Sequence, residues 1–322
     1  MSWQDVINTH EEANFLQSPA WAKTNELIGD KTITLEFENH GHALMIVRNA
    51  KRGRYLEIPC GPLIDWQDSR LVRQVFDKIY AVAKENRCVF ARLRPQLRKT
   101  PENLVLLQSL GLKPSPMHLA AEHTVIIDLT KSEDDLLKDM RRQTRYEVRR
   151  SDKEGIKVTK CSDEAAFKEF HSIQLATARR QNFVPPSFKL LMAEREAFDD
   201  NITIYKATKD APIALGLIIS DGHEAAYYEA ASTDLNRKLP GAYAILWQAM
   251  KDLKAQGVKR FNLWGIAPPG QPNHRYAGVT TFKTGFGGEI VEYVPAHDLI
   301  ISKPKYLKNL LVETMRKKKR HL

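Results

Sequence analysis

The sequence predicts a mixed α/β protein built from two related units in tandem. The chain has 322 residues, which is more than one hydrophobic core usually organises. Short alternating apolar segments recur in both halves, with helical segments between them. Each half also follows a similar order, in which strands precede a long helix and a further strand comes after it.

The first half is predicted to alternate strands with helices. Its strands cover residues 32–37, 43–48, 55–59, 88–93 and 123–129. Its helices cover residues 68–85 and 102–110, and the longer one repeats Leu71, Val75 and Ile79 on one face.

The second half repeats this alternation. Its predicted strands cover residues 156–159, 202–207, 212–220, 224–230 and 260–264, and its helices cover 163–180, 186–198 and 237–256. A sheet flanked by helices in this order is the arrangement of an acetyltransferase-like (GNAT-type) domain, so we expect two such domains. We place the first at residues 1–152, joined by the C-terminal helix 300–322, and the second at residues 153–299.

Composition narrows the class of partner and the location. The net charge of +10 suits a polyanion such as tRNA, a nucleotide-linked substrate or an anionic membrane surface. No apolar run reaches the roughly 20 residues of a membrane span, and the polar start lacks a signal-peptide pattern, so we expect a cytoplasmic protein. The three cysteines are dispersed and lack ligand spacing, so we expect reduced thiols and no metal site.

Much of the positive charge lies at the C-terminus. Residues 303–322 carry eight Lys or Arg against one acid, Glu313. This tail either contacts tRNA or the inner face of an anionic membrane, or is only a solvated helix end.

The most informative stretch runs from Gly278 to Tyr293. Phe282 and Lys283 precede the sequence Gly285-Phe286-Gly287-Gly288, and an alternating segment follows. This pattern predicts a short helix, a tight glycine turn and a strand, with Phe282 and Lys283 near the mouth of a cleft. From the pattern alone, a solvated lysine before a plain turn is the alternative.

The stretch GVTTFKTGFGGE resembles the C-terminal signature of the Fem (FemXAB) family, the aminoacyltransferases that form peptidoglycan bridges from aminoacyl-tRNA. The segments 227–232, 241–244 and 261–266 are similar to that family as well. The resemblance implies two GNAT-type domains. Since no long charged heptad insertion occurs, we expect the chain to lack the coiled-coil helical arm of some members.

The resemblance implies transfer of an aminoacyl group from aminoacyl-tRNA to an amine of a peptidoglycan precursor, with no cofactor. Conversion of an ester to an amide needs positioning and oxyanion stabilisation, and no nucleophile–base pair is evident in the sequence. By resemblance, Lys283 with Phe282 lies at the reacting ester or at the acceptor end of the tRNA. The implied precursor-binding residues are Lys23, Trp21, Arg180, Tyr228, Tyr243 and Arg94.

Arg94 departs from the family pattern, in which an acid often stands before the following proline. A guanidinium stays protonated and cannot act as a general base. Arg94 therefore either holds an anion or makes a structural salt bridge.

Four cations are predicted to form one stripe on a helix that begins near Ser132. Lys138, Arg142, Arg145 and Arg149 are spaced at i, i+4, i+7 and i+11. The stripe is either a track for the tRNA backbone or an ordinary solvated face.

Two other functions stay open. The segment from Arg237 to Ala242 resembles a degraded acyl-CoA pyrophosphate loop, which would indicate a CoA-dependent N-acyltransferase of the GNAT superfamily. A non-catalytic tRNA-binding module would explain the charge alone. The amino acid transferred, and a soluble or lipid-linked acceptor, are also left open.

Overall fold

The computed structural model describes residues 2–38, 41–181 and 183–320, and the side chains of 318–320 lie outside this description. The chain forms two compact units. The first comprises residues 1–122 together with 292–322, and the second comprises residues 123–291. In the described residues, no helix combines the length and the apolar character that crossing a bilayer requires.

The helices and strands follow the predicted order closely. The helices are α1 (Trp3–Thr9), α2 (Pro19–Ile28), α3 (Ser69–Glu85), α4 (Pro101–Ser109), α5 (Glu133–Asp139), α6 (Arg142–Lys153), α7 (Glu164–Gln181), α8 (Phe188–Phe198), α9 (Gly241–Ala255), α10 (Ala277–Thr284) and α11 (Lys303–Arg320). The strands are β1 (Lys31–Phe37), β2 (Gly41–Ala50), β3 (Gly53–Pro59), β4 (Cys88–Arg94), β5 (Lys113–Pro114), β6 (His123–Asp128), β7 (Lys157–Cys161), β8 (Ile202–Lys209), β9 (Ala211–Asp221), β10 (Glu224–Ser232), β11 (Arg260–Gly265), β12 (Glu289–Glu292) and β13 (His297–Ile300).

The first unit is built on a six-stranded sheet of order β1-β2-β3-β4-β13-β5. The β3–β4 pair is parallel, and the other pairs are antiparallel. Helix α3 buries Leu71, Val75 and Ile79 in this core, as its spacing predicts. Helix α11 contributes Tyr306, whose ring lies 5.6 Å from that of Phe90, so the C-terminal helix belongs to the first unit.

The second unit is built on a seven-stranded sheet of order β12-β6-β11-β10-β9-β8-β7. Strands β10 and β11 run parallel, whereas the β6–β11, β9–β10, β8–β9 and β7–β8 pairs are antiparallel. Helix α7 packs on β10 and β8, and helix α9 packs on β8 and β9. The core is closed by buried side chains of the sheet and of α9, such as Phe261 and Leu246.

The division between the units differs from the predicted boundary at both junctions. Strand β6 pairs with β11, so residues 123–152 belong to the second unit and not to the first. Strand β13 pairs with β4, so residues 292–299 belong to the first unit. Both pairings join strands that are far apart in the chain, and local periodicity carries no information about such partners.

The predicted helix after Ser132 is two helices. Met140 has φ −66° and ψ 145°, and Arg141 is extended as well, so α5 ends at Asp139 and α6 begins at Arg142. The predicted stripe of four cations is therefore wrong, because Lys138 lies on a different helix from the three arginines. Arg145 explains the break: its Nη1 donates to the carbonyl of Lys138 at 2.9 Å and to that of Met140, so it caps the C-terminus of α5.

The signature stretch folds as predicted, with helix α10, a glycine turn and strand β12. Gly287 and Gly288 have φ of +84° and +82°, a region that other residues rarely adopt. A Cβ on Gly288 would lie 2.5 Å from the carbonyl oxygen of Ile126 in β6. This turn thus holds α10 close to the sheet, and only glycine permits that approach.

Substitution of Gly288 by alanine tests this close approach. Gly257, at the end of α9, has φ +83°, but a Cβ on it would meet no atom within 4 Å, so Gly257→Ala supplies the same backbone strain without the clash. We expect Gly288→Ala to lower the free energy of unfolding by roughly 1–3 kcal/mol more than Gly257→Ala. Urea denaturation of both variants measures the difference, and equal losses would contradict the packing role of Gly288.

Candidate active site

The parallel strands β10 and β11 separate part-way along their length. Their ladder pairs Glu224–Ala226 of β10 with residues 260–262 of β11 and goes no further in the described residues. Strand β10 nevertheless continues to pair with β9 up to Ser232. A crevice therefore opens at the carboxyl ends of two adjacent parallel strands, where α/β sheets commonly bind ligands.

Two backbone irregularities shape this crevice. The β9–β10 register shifts between Tyr227 and Glu229, which is a β-bulge. In β11, Trp264 has φ +62°, an uncommon conformation for a bulky residue. Tyr227, Tyr228 and Glu229, at and beside this bulge, all line one pocket.

The pocket has a volume of about 830 Å³ and lies within the second unit. Its wall comes from β10, from helices α7, α9 and α10, and from the loop before α10. The polar and aromatic residues of this wall include Gln174, Thr177, Tyr227, Tyr228, Glu229, Tyr243, Arg275, Tyr276, Phe282 and Lys283. Sequence-predicted residues from three distant segments thus meet here: Tyr228, Tyr243, and Phe282 with Lys283.

Lys283 is a buried lysine, with 7% of its surface exposed. Its Nζ donates to the carbonyl oxygen of Gly265 at 2.9 Å and lies 5.9 Å from the centre of the Tyr227 ring. Burial lowers the pKa of this ammonium group to about 7. The solvated-lysine alternative is therefore wrong, and Lys283 is a desolvated donor in the pocket wall.

An aromatic cluster positions the end of α10. The Phe282 ring meets the ring of Tyr243 edge-on at 5.0 Å, and it meets that of Phe286 edge-on at 5.4 Å. Tyr243 and Phe286 stack at 5.8 Å. These contacts hold α10 against α9, and they also give Phe282 a packing role beside Lys283.

Two carboxyl groups near the pocket were not predicted from the sequence. Glu229 accepts a hydrogen bond from Gln174 Nε2 of α7, and burial raises the pKa of Glu229 to about 7. Glu194 of α8 is fully buried, and this burial, followed by the nearby charge of Glu229, raises its pKa well above the usual range. A glutamate inside the run of alanines and tyrosines at residues 225–231 is the signal that could have identified Glu229.

Arg180 lies beside the pocket with its donors engaged. Its Nη2 donates to the carbonyl of Ser232 and to Thr177 Oγ1 at 3.3 Å, and its Nε lies 3.6 Å from Asp234 Oδ1. Thr177 and Ser232 both line the pocket. In these contacts Arg180 ties the end of α7 to the end of β10.

The remaining predicted precursor-binding residues belong to the first unit. Trp21 is buried against Phe15 at a ring distance of 6.0 Å, and Lys23 is exposed on α2. Arg94 is 2% exposed. Its Nη1 donates to Gln96 Oε1 and its Nη2 to Cys60 Sγ, each at 2.7 Å. The structure thus does not bring these three residues into the pocket of the second unit.

The sequence profile of the FemAB family matches residues 2–104, 111–205 and 187–313. The chain belongs to the FemAB family. Aminoacyltransferase FemA of Staphylococcus aureus (strain MRSA252) is 23% identical to it over 334 aligned positions, covering 76% of this chain and 79% of FemA. The predicted resemblance is therefore confirmed.

Solved structures of similar fold agree with this assignment. The crystal structure of FemX matches this FemAB chain with a TM-score of 0.86 at 16% identity, covering 97% of this chain and 98% of FemX. A tandem GNAT protein from the clavulanic acid biosynthesis pathway matches with a TM-score of 0.58 at 10% identity. This match covers 93% of this chain and 94% of the tandem GNAT protein. These likenesses confirm the predicted tandem of two GNAT-type domains.

A second feature of the FemAB chain is a basic groove on α6, with a volume of about 520 Å³. It is lined by Arg142, Arg145, Tyr146, Arg149, Arg150 and Lys153. Arg142, Tyr146 and Arg149 are exposed, whereas Arg145 is the cap of α5. Lys138 does not line this groove, and its Nζ lies 3.0 Å from Asp135 Oδ1.

The segment that resembles an acyl-CoA loop has a structural explanation. A Cβ on Gly241 would lie 2.5 Å from Ile213 Cγ2, so this glycine allows α9 to approach the sheet. The first turn of α9 also has a protein partner, because Ala242 donates its backbone N–H to Asn236 Oδ1 at 3.1 Å. Neither feature requires a bound pyrophosphate.

Proposed function

We propose that this chain is an aminoacyltransferase that moves an aminoacyl group from aminoacyl-tRNA to an amine of a peptidoglycan precursor, during formation of the interpeptide bridge. Membership of the FemAB family and the similarity to Aminoacyltransferase FemA support the reaction class. The observation that carries the proposal is the desolvated ammonium group of Lys283 at the crevice between β10 and β11.

The chemistry of the pocket suits this reaction. Attack of an amine on an ester carbonyl creates an oxyanion, and it is favoured by donors that are already in place. An ammonium group carries three N–H donors, of which Lys283 uses one on Gly265. Within the described part of the chain, the other two N–H groups of Lys283 make no hydrogen bond, so we assign them to the ester oxygen. Tyrosine and phenylalanine side chains in the wall would limit competing attack by water.

Lys283→Met tests the catalytic assignment. If the ammonium group stabilises charge that develops during acyl transfer, this variant should lower kcat by roughly 10²- to 10³-fold with little change in precursor affinity. Methionine keeps an apolar stem for packing beside Tyr227. Single-turnover transfer from charged tRNA gives the rate, and a wild-type rate in this variant would contradict the assignment.

Lys283→Arg provides the matched comparison. A planar guanidinium does not reproduce a compact ammonium group, so we expect partial rescue only.

Acetyl-CoA in place of the charged tRNA tests the N-acyltransferase alternative with the wild-type protein. Acyl transfer from acetyl-CoA, and none from charged tRNA, would replace the proposed reaction.

We also propose that the groove on α6 contacts the tRNA backbone. Its five cations and the exposed ring of Tyr146 present the combination of charge and stacking surface that favours nucleic acid. Arg150 is partly neutralised, because Glu147 lies 3.3 Å and Glu154 lies 3.5 Å from its guanidinium. Arg142 and Arg149 are therefore the preferred phosphate contacts.

Arg142→Gln and Arg149→Gln test this contact. Each should weaken tRNA binding and reduce the slope of log K against log salt concentration by about 1. Lys168→Gln is the matched control, because Lys168 is an exposed lysine of α7 that pairs with Glu164 at 2.6 Å. Fluorescence titration at several salt concentrations measures the slopes, and equal slopes for all three variants would contradict a role for the groove.

The assignment of the precursor is a further part of the proposal. Tyr228 and Tyr243 line the pocket, so we propose that they contact the acceptor end of the precursor. Arg180 adds a cation at the rim, next to Ser232. The roles of Lys23, Trp21 and Arg94 in precursor binding stay predictions from the family resemblance.

Helix α11 supports a proposal of peripheral contact with an anionic membrane. Leu307, Leu311 and Met315 are 62%, 62% and 54% exposed, and their i, i+4, i+8 spacing places them on one side of the helix. Lysines and arginines of the same helix flank this apolar stripe. An apolar stripe with basic neighbours is typical of helices that lie on membrane surfaces.

The double variant Leu307→Gln/Leu311→Gln tests the membrane contact. It should weaken binding to vesicles that contain phosphatidylglycerol by at least roughly tenfold, because insertion of each leucine contributes more than about 1 kcal/mol. Leu27→Gln, at another exposed leucine, serves as the control. Removal of residues 315–322 should in addition reduce the salt dependence of binding to these vesicles. Unchanged sedimentation with vesicles would contradict the proposal.

A further inference from the structure

Glu229 is a carboxyl group in the pocket with no role in the reaction described so far. It lies on β10 immediately after the β-bulge, and it lines the same pocket as Lys283. Glu229 is therefore a carboxyl group in the wall of a pocket that also contains tyrosines, Lys283 and Arg275.

The surroundings of Glu229 fix its orientation. Gln174 is 3% exposed on α7, and its Nε2 donates to Glu229 Oε2. This hydrogen bond engages one carboxylate oxygen. The glutamine side chain is itself held by burial, so Glu229 is a positioned group and not a mobile surface acid.

We propose that Glu229 is the general base that accepts the proton lost by the attacking amine, an inference that rests on the proposed aminoacyl transfer. The amine nitrogen forms a bond to the ester carbonyl carbon and gives its proton to the Glu229 carboxylate. The bond between that carbon and the ribose oxygen then breaks. The ribose oxygen takes the proton from Glu229, which leaves an amide, a free tRNA hydroxyl and the carboxylate restored.

Two titratable groups interact electrostatically with Glu229, namely Glu194 of α8 and Tyr228 of β10. Lys283 of α10 and Arg275, in the loop before α10, line the same pocket. Burial raises the pKa of Glu229 to about 7, and the hydrogen bond from Gln174 opposes this rise. A base of this pKa is half ionised near neutral pH and still accepts a proton readily. Burial, followed by the charge of Glu229, raises the pKa of Glu194 well above its usual range and so favours its neutral form.

The proposal assigns the two limbs of the pH–rate profile. Glu229 must be ionised, so the rate should rise with pH through about 7 on the acidic limb. Lys283 must be protonated, so the rate should fall through about 7 on the alkaline limb. The profile for the wild-type protein is therefore a narrow bell.

Glu229→Gln removes the base but keeps the shape of the side chain. We expect kcat for transfer from charged tRNA to fall by roughly 10²- to 10⁴-fold and the acidic limb to disappear. Lys283→Arg should show the reverse, with the acidic limb kept and the alkaline limb lost, because a guanidinium does not titrate in this range. An acidic limb that persists unchanged in Glu229→Gln would overturn the proposal.

Gln174→Met supplies a test that does not remove the base. Methionine has a similar volume but no N–H donor, so the pKa of Glu229 should rise and the acidic limb should move to higher pH, with the maximum rate less affected. A purely structural Glu229 would leave the limb where it is, and that result would overturn the proposal. If the wild-type protein transfers no aminoacyl group, the proposed function itself is contradicted. If the wild-type protein does transfer the group, but the acidic limb is unchanged in Glu229→Gln and Gln174→Met, only the role of Glu229 is contradicted.

Discussion

The separation of β10 from β11 is the constraint on which the site depends, and the buried Asn262 lies where the paired part of β11 ends. Its Oδ1 accepts hydrogen bonds from Thr124 Oγ1 and from the backbone N–H of Trp264, and its Nδ2 donates to Glu224 at 3.2 Å. The side chain of Asn262 thus takes the N–H of Trp264 away from the ladder. These hydrogen bonds satisfy both the amide oxygen and the amide nitrogen, which makes the distortion stable in a buried setting.

The open end of β11 also positions Lys283. After Trp264, whose carbonyl accepts from Thr124 Oγ1 at 3.1 Å, the carbonyl of Gly265 points to Lys283 Nζ at 2.9 Å. The glycine turn after α10 holds the helix near β6, so that Lys283 reaches this carbonyl without solvent. The distorted end of β11 and the tight turn after α10 therefore act together to position Lys283. They also account for the positive φ of Trp264 and for the glycines at 287 and 288, where the backbone has the same uncommon conformation.

Burial shifts the pKa values of Lys283 and Glu229, two ionisable groups of the pocket, in opposite directions. It disfavours the charged form of each, so it lowers the pKa of Lys283 and raises that of Glu229, and both reach about 7. A single physical effect thus brings the pKa values of an acidic and a basic side chain close to neutral pH. Active sites that carry out general acid–base catalysis commonly contain groups whose pKa values are shifted towards neutral pH in this way.

Positive charge serves several purposes in this chain, and only some of it is free to meet a polyanion. In the second unit, Arg145 caps α5, and Arg150 contacts Glu147 and the carbonyl of Lys238. In the first unit, Arg92 forms buried ion pairs with Asp298 and Glu313, which fasten α11 to the sheet. Net charge alone therefore overstates the surface that is open to tRNA.

The sequence by itself determined the class of fold, most elements and the family, and it singled out Lys283, because periodicity, turn residues and an ungapped motif are local properties. It did not reveal that β6 belongs to the second sheet, that the helix after Ser132 breaks at Met140, or that Glu229 lines the pocket of Lys283. Each of these depends on a contact with another part of the chain: a distant strand, an arginine that caps the preceding helix, or the packing of α7 on β10. Only the tertiary structure decided them, because burial and long-range pairing exist only once the chain has folded.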